Sequence, residues 1–282
     1  MVGRDLIKAA EIRSQISQFE QYNTATNTFI LKYNYLPGDI PAAQATAFGF
    51  TAVPNRVGTQ AQGDGNGIVE GIWSGGVGYS PCGGFYCDYN MLIHGETAWF
   101  WADLSANSNL IGGNFTSASS TPTVADSSGG YVGNDVAKIL PISKLGNNNY
   151  ISVYQKNSSL YFITSAMYNL DNNGAPNNSP LYIAGSSNLA MTTHQAYSID
   201  SKIDDGLPNS GRVTANYQNW KLNLSRLSWA SGGGVEGATS TAATPASATT
   251  CYDNGNAVGA MQKYSVGTNT GNGLNCALSF KF

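Results

Sequence analysis

The sequence predicts an α+β fold in which one long N-terminal helix packs on a mostly antiparallel β-sheet that carries large loop insertions. Two observations predict this fold. An uninterrupted amphipathic stretch covers residues 5–35, and Pro37 and Gly38 end it. After it, short runs with strand propensity alternate with turns rich in Asn, Gly and Ser. Short strands joined by such turns pair antiparallel, and their apolar face needs a helix to cover it.

The first helix is predicted from apolar side chains that recur every three or four residues, which is the spacing of one buried helical face. This stripe comprises Ile12, Ile16, Phe19, Tyr22, Thr26, Phe29, Ile30 and Tyr33. Polar residues, among them Gln15 and Gln18, are expected on the other faces. The pattern is already under way at Leu6 and Ile7, with no apolar signal-peptide region before it. We therefore expect the helix to be the C-terminal half of a longer one whose upstream part lies outside this sequence.

The rest of the chain predicts two further helices and several strands. Residues 90–110 and 192–203 carry apolar side chains at helical spacing, and Thr192 or Thr193 is the expected N-cap of the second. Strands are predicted at residues 136–140, 150–154, 160–165, 181–184 and 277–282.

Changes in composition divide the chain into four segments. Residues 1–35 form the helix, residues 36–230 an α+β head, residues 231–250 a low-complexity loop or linker, and residues 251–282 a disulfide-bridged segment of the head.

The amino-acid composition argues against some classes of function and favours others. Charged residues make up 11% of the 282 residues, against about 25% in ordinary globular proteins. The net charge of −3 argues against nucleic acid as a partner, because nucleic-acid binders carry a basic face. A neutral surface rich in Asn, Ser, Thr and Gly suits an extracellular protein, or one that packs against copies of itself. No apolar run reaches the roughly 20 residues that span a bilayer.

The four cysteines allow three pairings. Closeness in sequence favours Cys82–Cys87 and Cys251–Cys276, and bridges of this kind belong to an oxidising compartment. A zinc site made of all four thiolates is the rival interpretation, although the spacing lacks paired C-x-x-C ligands.

Catalysis is not predicted. The chain has two histidines, His94 and His194, and neither lies in a zinc-protease motif. No nucleophile elbow and no phosphate-binding loop are present. Acidic side chains are too few to point to a pair of catalytic carboxylates.

Calcium is the better-supported chemistry, because Ca²⁺ takes six to eight oxygens from carboxylates, amides and carbonyls on a tightly turning loop. Two sets of residues qualify. One is Asp200, Asp204 and Asp205, and the other is Asp64, Asn66 and Glu70. The competing interpretation is that these side chains form Asx-turns with their own backbone.

Several stretches resemble the pseudopilins, which are type IV pilin-like proteins. The run VGRDLIKAAEIRSQISQFEQYNTATNTFILKYNYLPGDI is similar to the segment after the membrane anchor in proteins with the prepilin-type cleavage and methylation signature. Four later runs look like the same group: GDGNGIVEG, ETAWFWADLSANSNLIGG, PISKLGNNNYISVY and AYSIDSKIDDGLPNSGRV. This sequence departs from the family pattern, because it contains neither the cleavage site nor the apolar half-helix.

The resemblance implies a minor or specialised structural subunit of a type IV pilus-like filament or a type II secretion pseudopilus. Its partners would be copies of itself and other pilin-like subunits, and the inner membrane through the upstream helix. Its location would be the periplasm or the cell surface. Family members are also known to bind calcium. The residues expected on the assembly helix are Ile12, Ile16, Phe19, Phe29 and Ile30.

Two alternatives belong to other classes. A filament-tip adhesin or extracellular binding module would use the aromatic loop around Phe85, Tyr86 and Tyr89. A secreted hydrolase is the third hypothesis, and turnover of a glycan by the purified protein would support it.

Overall fold

The computed structural model describes residues 2–53, 56, 58, 61–71, 95–115, 136–156, 158–171, 184–219, 226–230, 250–255, 257, 259–267 and 271–282. The helices are α1 (Val2–Tyr33), α2 (Ala42–Ala47), α3 (Glu96–Ala102, continued by a π-helical turn at Asp103–Asn107), α4 (Val136–Ile139) and α5 (Thr193–Ile203). The strands are β1 (Asn149–Lys156), β2 (Ser159–Asp171), β3 (Ala184–Asn188), β4 (Val213–Thr214), β5 (Asn216–Asn219), β6 (Arg226–Trp229), β7 (Tyr252–Asp253), β8 (Lys263–Tyr264) and β9 (Leu278–Lys281).

The main sheet is antiparallel, and β2 is its centre. Strand β1 pairs along one edge of β2, whereas β9 and then β3 pair along the other edge, and β4 pairs with β9. Two small hairpins, β5–β6 and β7–β8, complete the strands of the described residues. The chain is therefore α+β with an N-terminal helix, as the sequence predicts.

Helix α1 lies against this sheet through its apolar stripe. Phe19 packs on Phe280 of β9 with ring centroids 3.8 Å apart, and Tyr22 packs edge-on against Trp101 of α3 at 5.0 Å. These contacts connect the first helix to the last strand, so the core closes only when both ends of the chain are in place. Within the described residues, no helix combines the length and hydropathy that crossing a membrane requires.

Gln15 and Gln18 are buried, contrary to the prediction that they occupy the solvent-facing sides of the helix. The Gln15 side-chain oxygen accepts hydrogen bonds from the Ser143 hydroxyl at 2.6 Å and from the Lys144 amide at 2.8 Å. Gln18 donates to the Ile142 carbonyl at 2.9 Å. Buried amides are tolerated where they are hydrogen-bonded, and here they bind the segment at residues 142–144, which leads into β1.

Residues 136–140 were predicted as a strand, and this prediction is wrong, because Val136–Ile139 is a helical turn. A strand would place Lys138 on the same face as Val136 and Leu140, inside the core. The helical turn buries Val136 and Ile139, three residues apart, and leaves Lys138 exposed. Avoiding the burial of a lysine thus outweighs the strand propensity of the apolar residues.

The other predicted elements agree with the structure in kind. The predicted helix at residues 192–203 is confirmed as α5, and Thr192 caps it in a capping box with Gln195. The strands predicted at residues 150–154, 160–165 and 277–282 correspond to β1, β2 and β9. Of residues 90–110, the described part contains α3 and its π-helical extension. Residues 181–183 and 231–249 lie outside the described residues.

Cys251 and Cys276 form a disulfide whose Cα atoms are 5.1 Å apart. Both side chains are fully buried. Cys276 also exchanges two backbone hydrogen bonds with Met191, just before α5. The bridge therefore ties the β7–β8 hairpin to the segment that enters β9.

We expect the double substitution Cys251→Ala/Cys276→Ala to lower the free energy of unfolding by about 3 kcal/mol. The bridge closes a sequence separation of 25 residues, and its loss restores conformational freedom to the unfolded chain. Urea unfolding of the oxidised proteins measures the change. Cys82→Ala/Cys87→Ala is the matched control, with a smaller expected effect because a bridge there would close a much shorter loop. Alkylation of Cys251 or Cys276 in the unreduced protein would contradict this prediction.

Candidate metal centre

The turn that follows α5 brings three carboxylates together. Asp200 lies in the last turn of α5, and Asp204 and Asp205 begin the loop after it. One oxygen from each of the three lies within 4.8 Å of the others. Asp200 is fully buried, Asp204 is half-buried and Asp205 is exposed, so the cluster opens from the core towards solvent.

Asp204 fastens the end of this loop to the sheet. One of its carboxylate oxygens accepts hydrogen bonds from the backbone amides of Arg212 and Val213, the latter at 3.0 Å, where β4 begins. Gly211 makes the approach possible. It has a φ of +75°, and a Cβ atom at this position would lie 1.9 Å from the same oxygen.

Asp205 holds the turn itself. It accepts from the Leu207 amide at 2.8 Å, which is an Asx-turn, and from the Ser210 hydroxyl at 2.7 Å. The Asx-turn of the competing interpretation is therefore present at this residue. A carboxylate oxygen has two lone pairs, so these bonds leave acceptor capacity for a cation.

Asp200 is the buried member of the cluster. It accepts hydrogen bonds from the Tyr264 hydroxyl at 2.8 Å and from the Gly206 amide at 3.1 Å. The pKa of Asp200 is raised from 3.8 to about 7, chiefly by burial, with a smaller rise from the charges of Asp205 and Asp204 and an opposing effect of the two hydrogen bonds. Burial also raises the pKa of Tyr264 well above its usual value. A divalent cation would relieve the repulsion that now favours a proton on Asp200.

The donor set around these three residues suits a hard cation. It consists of carboxylate oxygens alone, it has no thiolate or imidazole, and it is partly open to solvent that could supply further oxygens. Calcium prefers such oxygens in flexible geometry, whereas zinc prefers nitrogen and sulfur ligands. Bound here, calcium would connect the end of α5 to the start of β4.

The second predicted set, Asp64, Asn66 and Glu70, comes together in a different way. The Asn66 amide nitrogen donates to Asp64 at 3.1 Å and to Glu70 at 3.4 Å, and its oxygen accepts from the Ile68 amide at 2.7 Å. Asn66 thus presents N–H groups to the two carboxylates. The three side chains form a hydrogen-bonded bridge and do not present three oxygens to one point.

Asp64 lies instead with two acids that the sequence analysis missed, Asp39 and Glu96. Both are buried, and all four of their carboxylate oxygens accept backbone amides of one loop. Asp39 accepts from Gly65 and Gly67, each at 2.7 Å. Glu96 accepts from Gly63 at 2.8 Å and from Glu70 at 3.0 Å. This acidic clamp, Asp39 and Glu96, thereby holds residues 63–70 in place.

A buried ion pair stands beside the acidic clamp. Arg56 pairs with Asp103, and it also donates to the carbonyls of Gly38 at 3.0 Å and Ile40 at 3.2 Å. Asp103 accepts the Gly38 amide at 2.7 Å. The sequence contained a signal for Asp103 and Glu96, since both are acids at the ends of the apolar run ETAWFWAD. It contained none for their partners, which lie far away along the chain.

The remaining predicted residues are placed as follows. Ile12, Phe19 and Phe29 are buried, whereas Ile16 and Ile30 are half-buried. His194 is exposed. Cys82, Cys87 and His94, together with the aromatic loop Phe85, Tyr86 and Tyr89, lie outside the described residues.

The acidic clamp predicts how stability depends on pH. The pKa of Asp39 is raised from 3.8 to about 7, chiefly by burial, with the Gly67 and Gly65 amides opposing the rise and the neighbouring Asp64 adding to it. The folded protein therefore holds a proton between about pH 4 and pH 7 that the unfolded chain releases. That contribution to stability is complete below pH 4 and is lost as the pH rises through 7. One such proton corresponds to at most about 1.4 kcal/mol per pH unit.

We expect Asp64→Asn to flatten this slope, because it removes a negative charge next to Asp39 while keeping the side-chain shape. Urea unfolding at several values between pH 4.5 and pH 8 measures the slope, and these values span the window set by the Asp39 pKa. Asp5→Asn, an exposed change on α1, is the control and should leave the slope as in the wild type. An unchanged slope in Asp64→Asn would show that the charge of Asp64 does not act on Asp39.

Comparison of the chain with protein-family models, with curated proteins and with solved structures found no match. The case for function therefore depends on the residues and their geometry.

Proposed function

We propose that this chain is the head region of a pilin-like structural subunit that acts by assembling with copies of itself and related subunits. The observation that carries the proposal is an unpacked segment at the start of α1. The helix runs without a break from Val2 to Tyr33, yet among its described side chains Ile12 is the first that is buried. Before Ile12 the described side chains are exposed or half-buried, and the contact printed to the rest of the domain is polar, from Lys8 to the Asn272 side-chain oxygen at 3.0 Å.

Those first turns nevertheless carry apolar side chains. Leu6 is 66% exposed and Ile7 is 61% exposed, and Leu31 further along is 88% exposed. Isolated helices are marginal in water, and most helical stability in proteins comes from a packed apolar face. A helical segment with apolar, uncovered side chains is therefore suited to packing against another chain.

Different positions along α1 then have separate roles. Ile12, Phe19 and Phe29 are used to hold the sheet, and Phe19 lies on Phe280. The positions left for partners are Leu6, Ile7 and Leu31, with Ile16 and Ile30 half-buried at the edge of the stripe. This division changes the set of residues expected to contact partners. Of the five predicted on α1, Ile12, Phe19 and Phe29 pack within the domain.

The low charge supports the same proposal. With 11% charged residues and a net charge of −3, copies of the chain can approach one another with little repulsion. Such a subunit would act in the periplasm or at the cell surface, where the disulfide would be stable. Its role would be structural and not catalytic.

We expect Leu6→Lys/Ile7→Lys in the full natural gene product to reduce incorporation into sheared filaments about tenfold or more. Two ammonium groups buried in a subunit interface cost more than the 1.4 kcal/mol that a tenfold change represents. Quantitative immunoblotting of the sheared fraction measures incorporation. Both positions are exposed, so the thermal unfolding of the variant should match that of the wild type.

Ser14→Lys/Ser17→Lys is the matched control, because it adds the same charge at exposed polar positions of α1. This control should be incorporated like the wild type. Incorporation of the Leu6/Ile7 variant at the wild-type level, or a natural product that remains monomeric outside any filament, would refute the proposal.

We also propose that the cluster Asp200, Asp204 and Asp205 binds calcium. Its support is the convergence of three carboxylates on a loop whose backbone is already held by Asp204 and Asp205. At a calcium concentration about a hundredfold above Kd, the expected stabilisation is about 2.7 kcal/mol. The structural effect would be to fix the loop between α5 and β4.

Two substitutions decide where calcium binds. Asp205→Asn should abolish the calcium-dependent rise in unfolding temperature, since it removes the exposed carboxylate but keeps the Asx-turn acceptor. Asp64→Asn should retain the rise. The opposite result would place the ion at the acidic clamp, and absence of any rise with the wild type would exclude calcium at both sites.

A further inference from the structure

A pocket of about 610 Å³ lies beside the C-terminal end of α1, and the strand register identifies its floor. Gln155 of β1 pairs with Leu160 of β2, and the Phe282 amide donates to the Leu160 carbonyl at 2.8 Å. Directly paired residues point to the same face of a sheet, so these three side chains share one face. Phe162 and Phe280, two residues further along their strands, lie on that face as well, and Phe280 packs on α1.

The loop that the acidic clamp holds forms one wall of this pocket. Gly65 and Gly67 line it, and their amides donate to Asp39 at 2.7 Å each. Gln155 connects this wall to the floor, because its side chain accepts the Val69 amide at 2.7 Å and donates to the Gly67 carbonyl at 3.2 Å. Wall and floor are therefore held together before any ligand arrives, which lowers the entropic cost of binding.

Aromatic rings and neutral polar groups complete the lining. Tyr35 and Phe282 are half-buried, and Tyr35 lies so close to Gly65 that a Cβ atom there would be 3.2 Å from its ring. Asn34 and Ser158 are exposed, and neither side chain forms a hydrogen bond with the described residues. No charged side chain is among the described residues that line the pocket. Its volume is within the range of small-molecule sites, about 300–1,000 Å³.

The backbone of Asn34 and Ser158 is left-handed, with φ values of +59° and +62°. Asparagine is enriched in this conformation, but serine is not, and glycine adopts it without steric cost. The turn between β1 and β2 therefore keeps a hydroxyl group at a position where glycine would suit the backbone better. Such sparsely populated conformations cluster at functional sites, including those that hold ligands.

We propose that this pocket binds a neutral pyranose disaccharide. Tyr35 and Phe282 offer aromatic surface to the C–H face of a sugar ring, and Asn34 and Ser158 offer hydrogen bonds to its hydroxyl groups. A charged ligand would lose hydration without gaining an ion pair, and an entirely apolar one would cover the polar groups without bonding them. Binding does not depend on filament assembly, because a single chain supplies all of these residues.

Four neutral disaccharides test the proposal: cellobiose, maltose, lactose and N,N′-diacetylchitobiose. Isothermal titration calorimetry measures the binding of each to the purified chain. We expect at least one of them to bind with a Kd of about 1 mM or below. Added salt should leave its Kd unchanged, since the interaction is not between charges.

The disaccharide that binds is then compared with two charged analogues. One carries a carboxylate in place of a CH₂OH group, and the other carries an ammonium in place of a hydroxyl or acetamido group. We expect both analogues to bind at least about threefold more weakly, because the pocket has no charged side chain to pair with either.

Two substitutions locate the binding. Asn34→Gly and Ser158→Gly each remove a polar side chain while retaining a residue that adopts positive φ, so unfolding temperatures should stay close to that of the wild type. Each should weaken the neutral disaccharide about threefold to tenfold, the effect of losing one hydrogen bond. Asn109→Gly is the matched control, because Asn109 is also exposed, has a φ of +55° and does not line the pocket. It should bind like the wild type.

Any of three results overturns the proposal. The first is that none of the four disaccharides binds at about ten millimolar, a concentration that would reveal a Kd of about 1 mM. The second is that a charged analogue binds as tightly as its neutral counterpart. The third is that Asn34→Gly and Ser158→Gly both bind like the Asn109→Gly control.

Discussion

The structure depends on one constraint, which is that a helix as long as α1 can bury only one of its sides. The buried side meets elements from three parts of the chain. Phe19 lies on Phe280, Tyr22 lies against Trp101, and Gln15 and Gln18 are bonded to residues 142–144. Because β9 pairs with the central strand β2, the same contacts bring the two ends of the chain together. On the opposite side of α1, described side chains such as Leu6 and Leu31 are exposed.

A second theme is the use of acidic side chains as anchors for loop backbone. Asp39 and Glu96 hold the loop at residues 63–70, and Asp204 holds the residues that lead into β4. A loop rich in glycine has few side chains to pack, so its amides need acceptors supplied from elsewhere. The cost is electrostatic, because burial raises the pKa values of both Asp39 and Glu96. The chain therefore places several of its few acids where they stabilise loops instead of the solvent-facing surface.

The sequence predicted those elements whose signal lies in neighbouring residues. The periodicity of α1, the N-cap of α5 at Thr192 or Thr193 and the β-branched and aromatic run of β2 each depend on residues close together in the chain. The sequence did not predict the burial or the role of side chains whose hydrogen-bond partners lie far away along the chain. Gln15 is buried because Ser143 lies opposite, and Asp39 is an anchor because Gly65 and Gly67 turn back towards it. The helical turn at Val136 is an intermediate case. Lys138, which a strand would bury, is visible in the sequence, but the prediction gave more weight to the strand propensity of its apolar neighbours.

Asp204 connects the proposed calcium site to the sheet. Its carboxylate accepts the backbone amides of Arg212 and Val213, and Val213 pairs with Phe280 of β9. Phe280 in turn packs on Phe19 of α1. A cation held by Asp200, Asp204 and Asp205 would fix the loop after α5 and, through Val213, the start of the strand that pairs with β9. The exposed apolar side chains at the start of α1 take no part in this connection, so calcium binding and assembly would use separate parts of the chain.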